Sequence, residues 1–253
     1  MSRNIIFIIN IVKDERSKNQ GYNYSIKSWE HYSKKIDADL FVLDEPLYNG
    51  ESMSRFSYMK PQWYKMYILD ILEANEIEYD QVLYVDADTI IHPNAPNIFE
   101  VSDNKFCAVR NFGCMDWVCR SLENYSEFLF EGFMFPYYKY FNSGVMVFNK
   151  NHKELFKSMQ EFYQEQHEQI KYVQDKFHVG NDQPVLNFFV NRDIPEDYKV
   201  LDYEWNMQDM LRFEAIGDDM LHTRYGYISH YNAGVKPTPG HWLEKTYKYL
   251  YED

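Results

Sequence analysis

Five apolar residues in a row, Ile5-Ile6-Phe7-Ile8-Ile9, lie almost at the start of the chain. A run without polar alternation suits a strand buried on both faces, the habit of parallel sheets covered by helices. It is too short to cross a membrane, and it lacks the small-residue cleavage site of a signal peptide. Residues Asn4 to Val12 are therefore read as a first strand, and the chain then alternates. Ser25 to Ile36 is helical in pattern, and Leu40 to Leu43 forms a second apolar strand. Pro61 to Leu72 carries Trp63, Met66, Tyr67, Leu69 and Ile71 at roughly helical spacing, and Gln81 to Val85 is a third strand. Strand–helix alternation of this kind predicts an open α/β sheet.

The second half is mixed. Strands are expected at Lys105 to Val109, Tyr140 to Phe148 and Tyr227 to His230. Helices are expected at Lys153 to Val173, Asp182 to Val190 and Leu243 to Tyr251. No repeat and no Pro/Gly/Ser-rich linker divides the 253 residues, so one domain over 1–253 is predicted. Its fold class is α/β: a Rossmann-like, mixed but mostly parallel sheet flanked by helices.

A formal net charge of -13 argues against a nucleic-acid partner, which calls for a basic face. An acidic protein that handles phosphates must offset its own field, and a divalent cation with a few placed Lys or Arg residues does so locally. The 23 Tyr and 18 Phe fill a core first, and stacking surfaces for a base or sugar second. Cys107, Cys114 and Cys119 match no zinc spacing, and their odd number suits reduced thiols and a cytoplasmic location.

The sharpest local signal is Leu83-Tyr84-Val85-Asp86-Ala87-Asp88-Thr89. Ligands of open α/β sheets bind beyond the carboxyl ends of the strands, and this strand ends in two carboxylates aimed there. Such hard oxygen ligands suit Mn²⁺ or Mg²⁺. Taken alone, the tripeptide reads equally well as a solvated turn. Asp37-Ala38-Asp39 is the chain's own control: the same tripeptide precedes its strand, at the wrong end of the sheet. His230 ends a strand and could complete a carboxylate-rich metal site. Gly234 after it would let backbone approach a phosphate, and Lys236 would neutralise it. Asn142 and Ser143 stand at the head of an apolar strand. Asn181-Asp182-Gln183-Pro184, taken alone, reads as a helix cap.

In order along the chain, Val85-Asp86-Ala87-Asp88, Phe141-Asn142-Ser143-Gly144, Asn181-Asp182-Gln183 and His230…Lys236-Pro237 resemble the motifs of the glycogenin-like and lipopolysaccharide galactosyltransferase-like family of retaining glycosyltransferases. The resemblance runs from about Ile5 to Trp242. It implies a GT-A fold, a Mn²⁺ ion (Mg²⁺ as the substitute) and a nucleotide-sugar donor, usually a UDP-sugar. It implies that residues 1–90 form the nucleotide-binding half and 91–253 the half for donor sugar and acceptor, a glycan among the possible acceptors. Asp86, Asp88 and His230 would hold the metal, with Asp86 also near the donor ribose. Asn142 and Ser143 would face the donor sugar, Asp182 and Gln183 would line its reacting face, and Lys236 would contact the diphosphate. Lys60 or Arg55 would be the basic residue that approaches the donor. The sequence departs from the family after His230, where Gly234 comes four residues later and Thr238 follows Lys236-Pro237; Trp242 is the candidate replacement for the family's aromatic.

The activity so implied moves a hexose to an acceptor hydroxyl with retention. Lid loops are expected at Gly50 to Ser57 and Asn232 to Gly240, because the reacting atoms must be kept from water. Two rival readings remain at this point. A sugar-nucleotide nucleotidyltransferase would carry a Gly-rich loop after the first strand, where Lys13 to Lys18 shows none. A non-catalytic nucleotide- or sugar-binding protein on a degenerate transferase fold would need no intact Asp86, Asp88 and His230 set.

Overall fold

A computed structural model of the protein describes residues 3–11, 22–47, 59–210, 216–232 and 234–252. The opening apolar run forms β1 (Asn4–Ile9), which lies between β2 (Asp39–Leu43) and β3 (Gln81–Asp86), parallel to both. β5 (Phe106–Arg110), β6 (Phe141–Asn149) and β7 (Tyr198–Leu201) complete a six-stranded sheet of order β2-β1-β3-β6-β5-β7. Only β6 runs against its neighbours, pairing antiparallel with β3 and β5. The sheet is thus mixed and mostly parallel, as expected.

Side chains alternate across the sheet. Ile6, Ile8, Leu83, Val85, Val145 and Val147 line one face, where α1 (Tyr22–Lys35) adds Trp29 and Tyr32. Ile5, Phe7, Val82, Tyr84, Met146 and Phe148 line the other. That second face is covered by α2 (Ile68–Ala74), α4 (Met115–Leu129), α5 (Lys153–Phe177) and α6 (Asp182–Asp193). Both faces being buried is what an apolar run without alternation requires. α6 is buried nearly all round, its polar Asp182, Gln183, Asn187 and Asn191 included, and Leu186 and Phe188 are fully buried. Each such side chain contributes roughly 1.5–3 kcal/mol. α3 (Ile98–Val101) is a single turn capped by Asn97. α7 (Pro239–Tyr251) closes a third cluster with Met207, Met220, Tyr231, Trp242 and Leu243.

Two small strands matter for position. β4 (Thr89–Ile91) pairs antiparallel with β8 (Ile228–His230), and the register sets Thr89 opposite His230. Neither β4, β7 nor α4 is anticipated by the sequence pattern. The stripe of α4, Val118, Leu122 and Tyr125, is diluted by Cys119, Ser121, Asn124 and Ser126, all modest helix formers. The expected helix from Pro61 to Leu72 is instead a 3-10 turn, Pro61–Tyr67, leading into α2. Trp63, Tyr64, Lys65 and Met66 are all buried there, so consecutive residues rather than one stripe face protein. No helix among the described residues is long and apolar enough to cross a membrane.

Candidate active site

Strand direction assembles the site. β3 ends at Asp86, and because β6 runs the other way its first residues lie beside that end: Val85 pairs with Val145, which brings Gly144 opposite Asp86. The turn after β3 is locked. Thr89 donates its hydroxyl to the Asp86 carbonyl at 2.7 Å, and the Trp29 indole donates to the same hydroxyl at 3.0 Å. The β4–β8 pairing then delivers His230, and the Tyr231 amide donates to the Asp88 carbonyl at 2.9 Å.

Asp86, Asp88 and His230 each offer a ligand atom, all within 4.8 Å of one another. His230 Nε2 stands 3.1 Å from Asp88 Oδ1 and 3.7 Å from Asp86 Oδ2. Its Nδ1 meets Asn206 Oδ1 at 2.9 Å; an amide oxygen only accepts, so Nδ1 carries the proton. The Nε2 lone pair is thereby left for a metal once the imidazole is neutral. Burial alone would lower the His230 pKa, but the negative charge of Asp88, with that of Asp86, raises it. Asp88 is the reverse case: burial pushes its carboxyl up, and His230 pulls it down further. Without a metal the pair is an ion pair, and a cation would take the place of the shared proton. The donor set fits a hard divalent ion, and so does the space beside it. A Cβ on Gly144 would meet His230 Cε1 at 2.4 Å and Asp86 Oδ2 at 2.6 Å, so glycine keeps the ligand edge clear.

A buried cation sits on the other side of Asp86. Lys65 is 2% exposed, 2.8 Å from Asp182 Oδ2 and 3.8 Å from Asp86 Oδ1. Burial opposes its charge, but Asp182 and then Asp86 raise its pKa above the usual value. Ser143 joins this knot: its hydroxyl donates to Asp182 Oδ2 at 3.2 Å and its amide to Gln183 Oε1 at 3.1 Å. Asp182 and Gln183 occupy the first turn of α6, with the Asn181 side chain as its cap. The cap reading holds for Asn181, and the adjacent Asp182 and Gln183 lie against Lys65 and Ser143. Asn142 Oδ1 accepts from the Gly144 amide at 3.0 Å and from Asn206 Nδ2 at 2.9 Å, linking β6 to the His230 support.

The remaining expected residues are placed as follows. Gly234 and Lys236 are exposed on the loop between β8 and α7; Gly234 has φ 75. Trp242 donates its indole N–H to the Lys236 carbonyl at 2.6 Å, so it does brace this loop. Lys60 is exposed and lines a separate cavity of about 430 Å³ with Trp63, Tyr163 and Asp175. Arg55 and the expected lid at Gly50 to Ser57 lie outside the described residues. The buried cation at the carboxylates is Lys65, five residues beyond Lys60. Its signal was a lone Lys within Trp63-Tyr64-Lys65-Met66-Tyr67, since a buried Lys demands an anion. Tyr84 was also readable: two residues before Asp86 on a strand, it shares a face with it, and its hydroxyl donates to Asp86 Oδ1 at 2.5 Å. Tyr22, the first residue of α1, has its phenol raised to about 12 by burial and by the charges of Asp88 and Asp86, which places it beside the same carboxylates. Asn206 had no sequence signal.

The sequence profile described as Glycosyl transferase family 8 matches residues 9–245. Among solved structures, a glycosyltransferase involved in the glycosylation of the major capsid of PBCV-1 is similar with a TM-score of 0.57 and 12% identity, over 96% of this chain and 99% of that one. Mouse xyloside xylosyltransferase 1 is similar with a TM-score of 0.54 and 16% identity, over 92% of this chain and 98% of that one. The glycosyltransferase GlyE of Streptococcus pneumoniae TIGR4 is similar with a TM-score of 0.53 and 17% identity, over 100% of this chain but 61% of that one. At these identities the structural likeness speaks for the fold. No curated protein matches the chain significantly.

Proposed function

This chain belongs to Glycosyl transferase family 8 and is a glycosyltransferase, and from that premise we propose that it moves a hexose from a UDP-sugar to an acceptor hydroxyl with retention, using a divalent cation, Mn²⁺ before Mg²⁺. The whole chain serves as one transferase unit, with residues 1–90 holding the nucleotide and 91–253 the donor sugar and acceptor. Three free cysteines suit a cytoplasmic setting. The observation that carries the reading is the convergence of Asp86, Asp88 and His230 within 4.8 Å at the carboxyl end of β3.

In this reading Asp86, Asp88 and His230 hold the ion. When bound, it supplies positive charge to the diphosphate as the sugar–phosphate bond breaks. Asn206 keeps the His230 ring turned so that Nε2 is the nitrogen offered to the ion. Lys65 holds Asp182 in place and tempers the repulsion between Asp182 and Asp86, which would otherwise resist a dianionic donor. Asp182 stabilises the cationic character that grows at the anomeric carbon, as carboxylates do in glycoside hydrolysis. Asn142, Ser143 and Gln183 orient the sugar by hydrogen bonds, and Lys236 with Gly234 approaches the diphosphate from the loop before α7. Gln183 cannot act as a base, so the acceptor proton leaves on the donor's own face, toward the diphosphate, and configuration is kept.

Two measurements test this. A thermal-shift screen should show stabilisation by UDP or a UDP-sugar with Mn²⁺ and little without it. Stabilisation independent of the ion would overturn the metal assignment. NMR of the product from an α-configured donor should show an α linkage. A β linkage would mean inversion, and Asp209, which lines a cavity with Gln183, would become the candidate base.

A further inference from the structure

Beyond the carboxylate cluster, Asn142 and Gln183 open onto a cavity of about 400 Å³ whose other walls are Asn111, Cys114, Trp117, Arg120, Asp209 and Asn232. Its size falls in the range of about 300–1,000 Å³ found for small-molecule sites. Apart from Asp209, Arg120 and the Cys114 thiol, the polar side chains of the walls are amides. The Arg120 guanidinium is already bound to Asp116 Oδ2 at 2.6 Å and to the Phe177 carbonyl at 3.2 Å, so it is not set to receive an anion. Asp209 is 6% exposed, and its carboxylate lies where a Cβ on Gly113 would be, 2.0 Å from that position. Glycine at 113 therefore makes room for the carboxylate against the chain. Trp117 is a fixed wall: a Cβ on Gly180 would meet its ring at 2.7 Å, and Tyr140 packs edge-on with centroids 6.2 Å apart.

Phe112, next to Asn111 in the chain, and Tyr137, from the turn before β6, are two exposed aromatics that share one cation. Phe112 is 39% exposed and Tyr137 is 45% exposed, with the Arg110 guanidinium 5.5 Å from the first ring centroid and 5.2 Å from the second. Phe112 is further propped by Tyr203, edge-on at 4.8 Å. Amides in the cavity and an exposed ring next to Asn111 in the chain match one chemistry. A pyranose presents hydroxyls that need both donors and acceptors, and C–H faces that stack on rings. The Asp209 carboxylate in the cavity wall and a net charge of -13 set a field against an anionic occupant.

We propose that residues Arg110 to Trp117, with Asp209 and Asn232, are the acceptor-recognition wall, and that the acceptor is an uncharged saccharide whose terminal ring enters the cavity beside Gln183 while the next ring stacks on Phe112. This rests on the transferase reading above and names the acceptor class that reading leaves open. Asp209 accepts a hydrogen bond from an acceptor hydroxyl, and Asn111 and Asn232 bracket the ring.

The test is saturation-transfer NMR on the full chain with Mg²⁺ and UDP present. The probes are methyl and octyl glycosides of glucose, galactose and N-acetylglucosamine, methyl disaccharides of the same sugars, and the hexose 6-phosphates. Variants are Phe112→Ala, at an exposed site, and Asp209→Asn, which keeps the shape and suits the left-handed φ of 55 at that residue. The expected result is binding of neutral glycosides through their ring protons, and of disaccharides about tenfold more weakly in Phe112→Ala. Asp209→Asn should also weaken the methyl glycosides, while UDP affinity by calorimetry moves less than about twofold in either variant. Equal or tighter binding of the 6-phosphates would overturn the uncharged class. Saturation confined to the octyl chain would overturn a saccharide occupant in favour of a lipid one. No binding, binding untouched by both variants, or a parallel loss of UDP-sugar affinity, which would make this the donor's own pocket, each overturn the proposal. Glycoside binding by a chain that binds no nucleoside diphosphate would instead overturn the transferase reading and leave the saccharide site standing.

Discussion

His230 shows one ring nitrogen to Asn206 and the other to Asp88, and that orientation is what leaves a lone pair for a metal. Asn206→Ala removes the partner that fixes the ring and the tautomer. Metal affinity should then fall about 10–100-fold, the usual cost of losing such a support; Mn²⁺ titration calorimetry with UDP present measures it, and unchanged affinity would mean His230 is not held in this way. Lys65 permits a second, sharper forecast. Removing one member of a buried pair leaves the other charge stranded, at about 3–5 kcal/mol, whereas replacing both with apolar groups costs less or nothing. Lys65→Met should therefore lower the urea midpoint strongly, and Lys65→Met with Asp182→Leu should recover most of it. If the double variant is the less stable, the pair contributes more than its own neutralisation. These two residues also mark the limit of legibility. Asp86, Asp88 and His230 could be picked out because Asp86 and His230 end strands and Asp88 lies in the turn that follows Asp86, and strand ends point at the crevice. Asn206 sits in an irregular exit after Trp205 and acts only through His230, so its spacing carries no pattern. Lys65 was visible as an anomaly, yet its anion, Asp182, lies more than a hundred residues away, and pairings at that range are not written in local sequence.

At the scale of elements, direction separates two identical tripeptides. Asp86-Ala87-Asp88 follows β3, whereas Asp37-Ala38-Asp39 runs into β2, which is parallel to β1 and begins at Asp39. The first tripeptide lies at the carboxyl end of the sheet and the second at the amino end. Replacing Asp37 and Asp39 with Asn should leave turnover within about twofold. Asp37 has φ 55, which Asn tolerates well, and the Asp39–Arg3 pair is half exposed on both sides, a kind that contributes only about 0–1 kcal/mol. A large loss of turnover with an intact fold would contradict the strand order itself. Most strands were readable because the sheet is buried on both faces, which forces apolar runs with few exceptions. The elements that escaped are those whose role is set by partners. β4 is three residues long and exists by pairing with β8. α4 fills its buried stripe partly with Ser121 and Ser126, small residues chosen by close packing rather than by helix preference.

Across the whole molecule, the segment that carries His230 and the loop before α7 is held by a third cluster, and a buried histidine lies within it. His222 is 2% exposed; its Nε2 meets the Tyr231 hydroxyl at 3.0 Å, and that hydroxyl meets Thr246 of α7. Burial, with Lys245 adding to it and Asp219 opposing, pulls the His222 pKa from 6.5 to about 4. The unfolded chain therefore binds this proton more readily than the folded one. His222 contributes stability that is complete above pH 6.5 and is lost as pH falls from there toward about 4. From the two pKa values the loss is on the order of 1 kcal/mol by pH 5.5. Other groups shift with pH too: His152 is lowered by burial in the same direction, and His230 is raised in the opposite one. The informative quantity is thus the difference between wild type and His222→Gln, which keeps a polar partner for Tyr231 but has no proton to take up. Urea midpoints at pH 7.5 and 5.5 should show a steeper fall for wild type than for His222→Gln, with the two converging at low pH. Parallel slopes would mean that His222 titrates as freely in the folded protein as in the unfolded chain. A steeper fall in the variant would mean that protonating His222 strengthens the cluster. In the expected case acid loosens the contact through which His222 and Tyr231 meet Thr246 of α7.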